Sequence, residues 1–145
     1  MKKRWILLAG SLAIVGIIAA ILIYVFVYNK PHPDYLKADS DYSITAADLF
    51  VEFQSDAQAA NKKYNGKILA VKGSLDSVET TENQTIAVFA IEEGLFGDEG
   101  IRMSMLPESS TQLTQITPGS EIVIKGYCTG FNETDVIMEH CSIIN

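Results

Sequence analysis

Only two histidines and two cysteines occur among the 145 residues. That scarcity removes most of the side chains from which nucleophilic triads and transition-metal sites are assembled. His32 lies in a polar stretch between two prolines, where a lone imidazole is simply solvated. His140 adjoins Cys141, and neighbours on a strand point to opposite faces. Cys128, Cys141 and His140 therefore make too small a ligand set for a structural metal, and neither a metal nor a cofactor is expected. Charge is missing too. Residues 6–27, ILLAGSLAIVGIIAAILIYVFV, hold no charged side chain. Basic residues are scarce beyond that run. Residues 29–145 carry all 18 Asp and Glu but 8 of the 11 Lys and Arg, a net charge of 8 − 18 = −10. An acidic surface keeps a domain soluble and repels polyanions, so nucleic acid is disfavoured as a partner.

The uncharged run is 22 residues. At ~1.5 Å per residue it would be about 33 Å long as a helix, matching a hydrocarbon core roughly 30 Å thick. Lys2, Lys3 and Arg4 precede it, and Trp5, Tyr24 and Tyr28 stand where an interfacial aromatic belt would. A cleaved signal peptide would have a shorter apolar region and small residues before the cut. Here the run ends in YVFVYNKPHP, and no cysteine lies near it to take a lipid. The expected plan is a cytoplasmic N-terminus over 1–5, a transmembrane anchor over 6–28, a tether over 29–44 and a domain over 45–145. The basic cluster places the domain outside the cytoplasm. Gly16 and Ala20, small residues four apart, could let two anchors pack closely, a weak signal on its own.

Thr45 can cap a helix running from about Ala46 to Tyr64, with Asp48 favouring its first turn. Leu49, Phe50, Phe53, Ala57, Ala60 and Tyr64 form one apolar face at helical spacing, a packing face rather than a binding site. Asn65-Gly66 ends the helix. Five strands follow, at roughly 67–79, 85–92, 101–106, 120–129 and 135–144, with a short helix within 109–116. That order suggests a five-stranded Greek-key barrel of the OB type. Two strands carry Lys-Gly past their apolar centre, in ILAVKGSL and IVIKGYC. Gly73 and Gly126 are the expected structural positions, where a curled strand bends, bulges or is closely approached. Lys72 and Lys125 would then point to water, the alternative being a grip on an anion. Cys128 and Cys141, 13 apart in the last hairpin of an extracytoplasmic domain, are expected to pair as a disulfide.

The stretch from Thr45 to Cys141 resembles the tRNA-anticodon-like (tRNA_anti-like) OB-fold proteins of the bacterial envelope, on the segments TAADLFVEF, AANKKYNGKILAVKGSL, PGSEIVIKGYCTG and DVIMEHCSI. The resemblance implies a five-stranded OB barrel with a preceding helix in the bacterial envelope, and together with the anchor it gives a single-pass protein of the bacterial cytoplasmic membrane as the expected location. It implies no catalytic residue.

No Ser-His-Asp or Cys-His spacing stands out, so an enzyme is not expected. Glu92-Glu93 and Asp98-Glu99 are paired carboxylates around the loop GLFGDEG, a solvated loop more readily than a glycosidase pair. The loop lacks the alternating pattern of a calcium site. A single-strand nucleic-acid binder would need stacking aromatics, for which Phe89, Tyr127 and Phe131 are available but read more simply as barrel packing. The expected function is a non-catalytic binding module docking an envelope protein, peptide or glycan. Leu95 and Phe96, apolar among polar neighbours, are either its contact or a cap on the barrel end.

Overall fold

A computed structural model describes residues 2–28 and 34–144, with the side chains of 2–9, 12, 27 and 28 outside the described set. Pro31, His32, Pro33 and the side chains of Trp5 and Tyr28 therefore lie outside it. The chain forms two compact units, Met1–Pro33 and Asp34–Asn145.

The first unit is helix α1, Lys2–Ile23, continued by one wider π turn, Tyr24–Tyr28. Its described large apolar side chains from Ile14 to Ile23 are 50% to 65% exposed. Among the described residues no helix is long and apolar enough to cross a membrane; of the span expected over 6–28, the side chains of 6–9, 12, 27 and 28 lie outside that set.

The second unit opens with β1, Tyr42–Thr45, which straddles the boundary expected between tether and domain. It continues through α2 (Ala46–Ser55), α3 (Ala57–Tyr64), β2 (Ile68–Ser74), β3 (Ser77–Thr80), β4 (Thr85–Gly94) and β5 (Gly97–Met105). Helix α4 (Pro107–Leu113), β6 (Glu121–Phe131) and β7 (Asp135–Ile144) complete it. The single helix expected over 46–64 is divided. Thr45 Oγ1 accepts from Asp48 N at 3.1 Å at the start of α2, and Asp56 Oδ1 accepts from Ala59 N at 3.0 Å to start α3. An aspartate that caps its own next turn competes with continuing the previous helix.

The sheet has seven strands rather than five, in the order β1-β2-β6-β7-β5-β4-β3. β2 and β3 are the two halves of the first expected strand. Leu75 N still donates to Ser120 O at 2.9 Å, on the β6 side. The next residue, Asp76, donates to Val88 O at 2.9 Å, on the β4 side. The chain thus changes partner between consecutive residues, which joins the two ends of the β2-to-β3 order and gives the OB topology. β5 and β7 run parallel, and α4 sits between β5 and β6 in the chain, as that topology requires.

Gly73 is not the break. It remains paired with Ile122, two residues before the switch. A Cβ there would come within 2.6 Å of Phe89 Cδ2 and 2.9 Å of Ala46 Cβ. Its absence lets the buried Phe89 ring and α2 lie against the strand. The core joins Leu49, Phe50, Phe53, Ala60 and Tyr64 from the helices to Leu69, Val71, Phe89, Ile101, Met103, Ile124 and Met138 from the barrel. The helical face read from the sequence is that packing face, with Ala57 half-buried at its margin.

The expected disulfide is not formed. Cys128 and Cys141 are free thiols, both buried. Cys128 pairs with Met138, whereas Lys125 pairs with Ser142. A β-bulge intervenes, with His140 at φ 53 in the left-handed region. It seats Cys141 Sγ against Gly126, where a Cβ would collide with it. The two thiols are therefore out of register across the hairpin. Burial pushes the Cys128 thiol up to about 11, and the Cys141 thiol higher still.

Candidate functional site: the β4–β5 hairpin and the surfaces beside it

The stretch read as the loop 94–100 is the end of a β-hairpin. Glu92 pairs with Glu99, Glu93 with Asp98 and Gly94 with Gly97, which leaves Leu95-Phe96 as a two-residue turn. Leu95 is 96% exposed and Phe96 98%. The alternative in which they cap the barrel end is thereby excluded. The strands beneath are held by their ladder, with a register shift between Ala90 and Glu92 that marks where the hairpin leaves the barrel wall. Below the tip a small depression of about 130 Å³ is lined by Phe96, Asp98, Glu99, Arg102 and Asp135.

The carboxylates along the hairpin face like charges. Glu92 accepts one hydrogen bond, from Gln54 Nε2 at 3.2 Å. Among the described residues no ion pair joins Glu92, Glu93, Asp98 or Glu99 to a lysine or arginine. Directly opposed like charges on a strand pair are unfavourable.

The neighbouring barrel face is the one formed by β3, β4 and β5. Phe89 points inward and is fully buried, so it offers no ring to a ligand. Ile86 and Val88 alternate with it on the other side of the strand, across from Ser104 and Arg102, Ile86 half-buried and Val88 buried. Arg102 is committed: Nη1 lies 2.7 Å from both carboxylate oxygens of Glu79, and Nε lies 3.3 Å from Asp135 Oδ2. Those bonds raise the Arg102 pKa further, Glu79 contributing most. Asp135 is buried and also accepts from Gly100 N at 3.1 Å, which ties β5 to β7. No aromatic ring faces outward from β3, β4 or β5.

Tyr127 and Phe131 lie elsewhere. Phe131 packs on Phe53 and Phe50, with centroids at 5.6 and 6.3 Å. Tyr127 meets the edge of Tyr35 at 5.9 Å, and Tyr35 stacks on His140 at 4.7 Å with the rings 1° apart. Lys125, expected in water, is buried. Its Nζ donates to Leu36 O at 3.0 Å and Ala38 O at 2.8 Å. The second half of the expected tether, 34–41, is therefore strapped to β6 and β7. No local pattern signals this, because the partners of Lys125 lie 87 and 89 positions away. Lys72 remains exposed and pairs with Glu121 at 3.3 Å. A groove of about 310 Å³ beside that pair is lined mainly by Ile116, Ile122, Val123, Ile143 and Ile144. Among the described residues no group of three or more His, Cys, Asp or Glu could hold a metal.

The tRNA_anti-like family profile matches residues 1–143. Among solved structures, a candidate nucleic acid-binding lipoprotein from Klebsiella pneumoniae subsp. pneumoniae is similar over 80% of this chain and 100% of its own, at 14% identity and a TM-score of 0.55. The S. pombe Stn1–Ten1 complex is similar over 54% of this chain and 58% of the matched one, at 11% identity and a TM-score of 0.38. Yeast Stn1 and Ten1 give 9% identity, a TM-score of 0.37 and coverage of 77% and 66%. No curated protein matches the chain.

Proposed function

The chain belongs to the tRNA_anti-like family, and on that premise we propose a non-catalytic OB-fold binding module, held at a bacterial cytoplasmic membrane by residues 6–28, that docks another component of the envelope. The single observation carrying this reading is the hairpin tip, where two large apolar side chains stand almost wholly in water. Isolated exposed apolar residues are ordinary, but an adjacent Leu-Phe pair at a projecting turn stabilises nothing in its own fold. The anchoring half rests on the uncharged run and the Lys2-Lys3-Arg4 cluster before it, which favours a cytoplasmic N-terminus and places the domain outside.

Single-stranded nucleic acid is the competing ligand, since the Klebsiella protein is described in those terms. That likeness carries the fold alone. Binders of this kind combine a basic groove with stacking rings. Here the β3–β5 face lacks outward rings, and its arginine is already paired with two carboxylates. Among the described residues both thiols are buried with raised pKa values and His140 is stacked on Tyr35, which is in keeping with the non-catalytic reading.

The test is chemical cross-linking of the full chain in its native membranes, wild type beside Leu95→Ser/Phe96→Ser. The expected result is a discrete heterologous adduct that disappears in the double variant while its melting temperature is unchanged. An adduct pattern indifferent to the substitution would refute docking through the tip. Protease added to sealed vesicles of known orientation checks sidedness: the domain should be cut when the outer membrane surface faces the medium.

A further inference from the structure

We propose that the β4–β5 hairpin is a plug for an apolar pocket rimmed by lysine or arginine on a partner protein. This deepens the docking reading above and rests on it. The positive φ of this turn falls on Gly97, at 131°, so the backbone admits any residue at 95 and 96, and it is solvation that ordinarily selects polar ones there. Here both turn positions are large and apolar, exposed at 96% and 98%. A local choice that opposes the local rule is where function is expected.

The flanks select the partner. Behind the Gly94–Gly97 rung, Glu93 faces Asp98 and Glu92 faces Glu99, so the next two rungs each carry two carboxylates. The outer rung, Glu93 and Asp98, is two positions behind the tip, roughly 7 Å at ~3.3 Å per residue. A pocket deep enough to take Leu95 and Phe96 would therefore bring its rim to these carboxylates. Basic side chains there would relieve the like-charge pairs and steer the encounter. An anionic lipid surface would meet the same carboxylates with repulsion. A second copy is disfavoured because residues 34–145 hold 7 Lys and Arg against 18 Asp and Glu, a net of 7 − 18 = −11. Nucleic acid is disfavoured for the same reason.

The probe is a photoreactive p-benzoylphenylalanine placed at Phe96 of the full-length chain in its native membranes. Irradiation should give one heterologous protein adduct, with the cross-linked peptide holding apolar residues and at least one nearby lysine or arginine. Glu93→Lys/Asp98→Lys should lower the yield at least tenfold, Glu93→Gln/Asp98→Gln should lower it less, and raised salt should mimic the effect. Glu93, Phe96 and Asp98 are all exposed, so unchanged melting temperatures separate lost contact from lost fold. A protein adduct indifferent to charge reversal and salt would overturn the basic rim and leave docking through the tip standing. Adducts to lipid, to nucleic acid or to a second copy would overturn the proposed partner. The absence of any adduct would overturn the plug and the docking reading together.

Discussion

Truncating two phenylalanines to alanine separates the packing of this domain from its proposed function. Phe89 is fully buried between β2, α2 and the barrel interior, with its ring edge where a Gly73 Cβ would be. Phe96 is 98% exposed at the hairpin tip. For Phe89→Ala the loss combines transfer of the ring to water with the cavity left behind, about 3–5 kcal/mol. Gly73, against which the ring lies, has no side chain to move into the space, which favours the upper half of that range. At roughly 3–6 °C per kcal/mol for a domain of this size, the midpoint should fall by about 10–25 °C. Phe96→Ala removes only a few Å² of buried area, on the order of 0.1 kcal/mol at about 25 cal/mol per Å², so its midpoint should stay within ~1 °C. The assay is thermal unfolding of the full chain followed by far-UV circular dichroism, beside cross-linking in membranes. Phe96→Ala should lose the adduct while keeping the fold. A midpoint lowered by several degrees in Phe96→Ala would mean that the tip packs against the barrel, and the reasoning would fail.

Four further outcomes follow. Gly73→Val should lower the melting midpoint by roughly 5–15 °C, since overpacking a full site costs about 1–3 kcal/mol and a β-branched side chain adds strain against Phe89; an unchanged midpoint would mean that α2 and the ring yield freely. Lys125→Met removes both bonds to the strap, so limited proteolysis should cut within residues 34–40 faster while the barrel stays resistant. The Glu52 carboxyl sits below its usual 4.5, chiefly through hydrogen bonding from Lys63 and then from Tyr64. A depressed carboxylate contributes stability above its unfolded value and loses it as pH falls through the folded one, so the wild type should weaken below about pH 4.5 and Glu52→Gln should flatten that limb of the unfolding profile. Both cysteines should resist a maleimide in the native protein and react on unfolding, with intact mass showing two free thiols in protein isolated without reductant.

Much of this architecture could be read from local pattern. The apolar spacing from Leu49 to Tyr64 gave the helical face, the strands fell close to their expected positions, and the helix before β6 separates the third and fourth barrel strands. What escaped the sequence depends on long-range placement. β1 is only four residues, and its parallel pairing with β2 joins segments 27 residues apart. The break at Asp56 turns on one side chain choosing to cap. The Cys128–Cys141 expectation assumed a regular hairpin, and a bulge whose His140 has positive φ moved the register. Lys125 reads as a solvated strand lysine until the strap is placed over it. The exposure of Leu95 and Phe96 was legible because apolar side chains in an acidic, glycine-rich segment have no local packing role. Phe89 could not be told from them by type alone; its position in the alternation of β4 decides its burial.

The docking claim is tested most directly by labelling a single thiol at the tip. Phe96→Cys in the full chain, treated with a membrane-impermeant maleimide, should react within seconds in the purified protein, while the buried native cysteines stay silent. In native membranes the account predicts that this tip thiol is protected, with protection lost on adding Glu93→Lys/Asp98→Lys. Equal labelling in both settings would show the tip free in its own environment and would contradict the account.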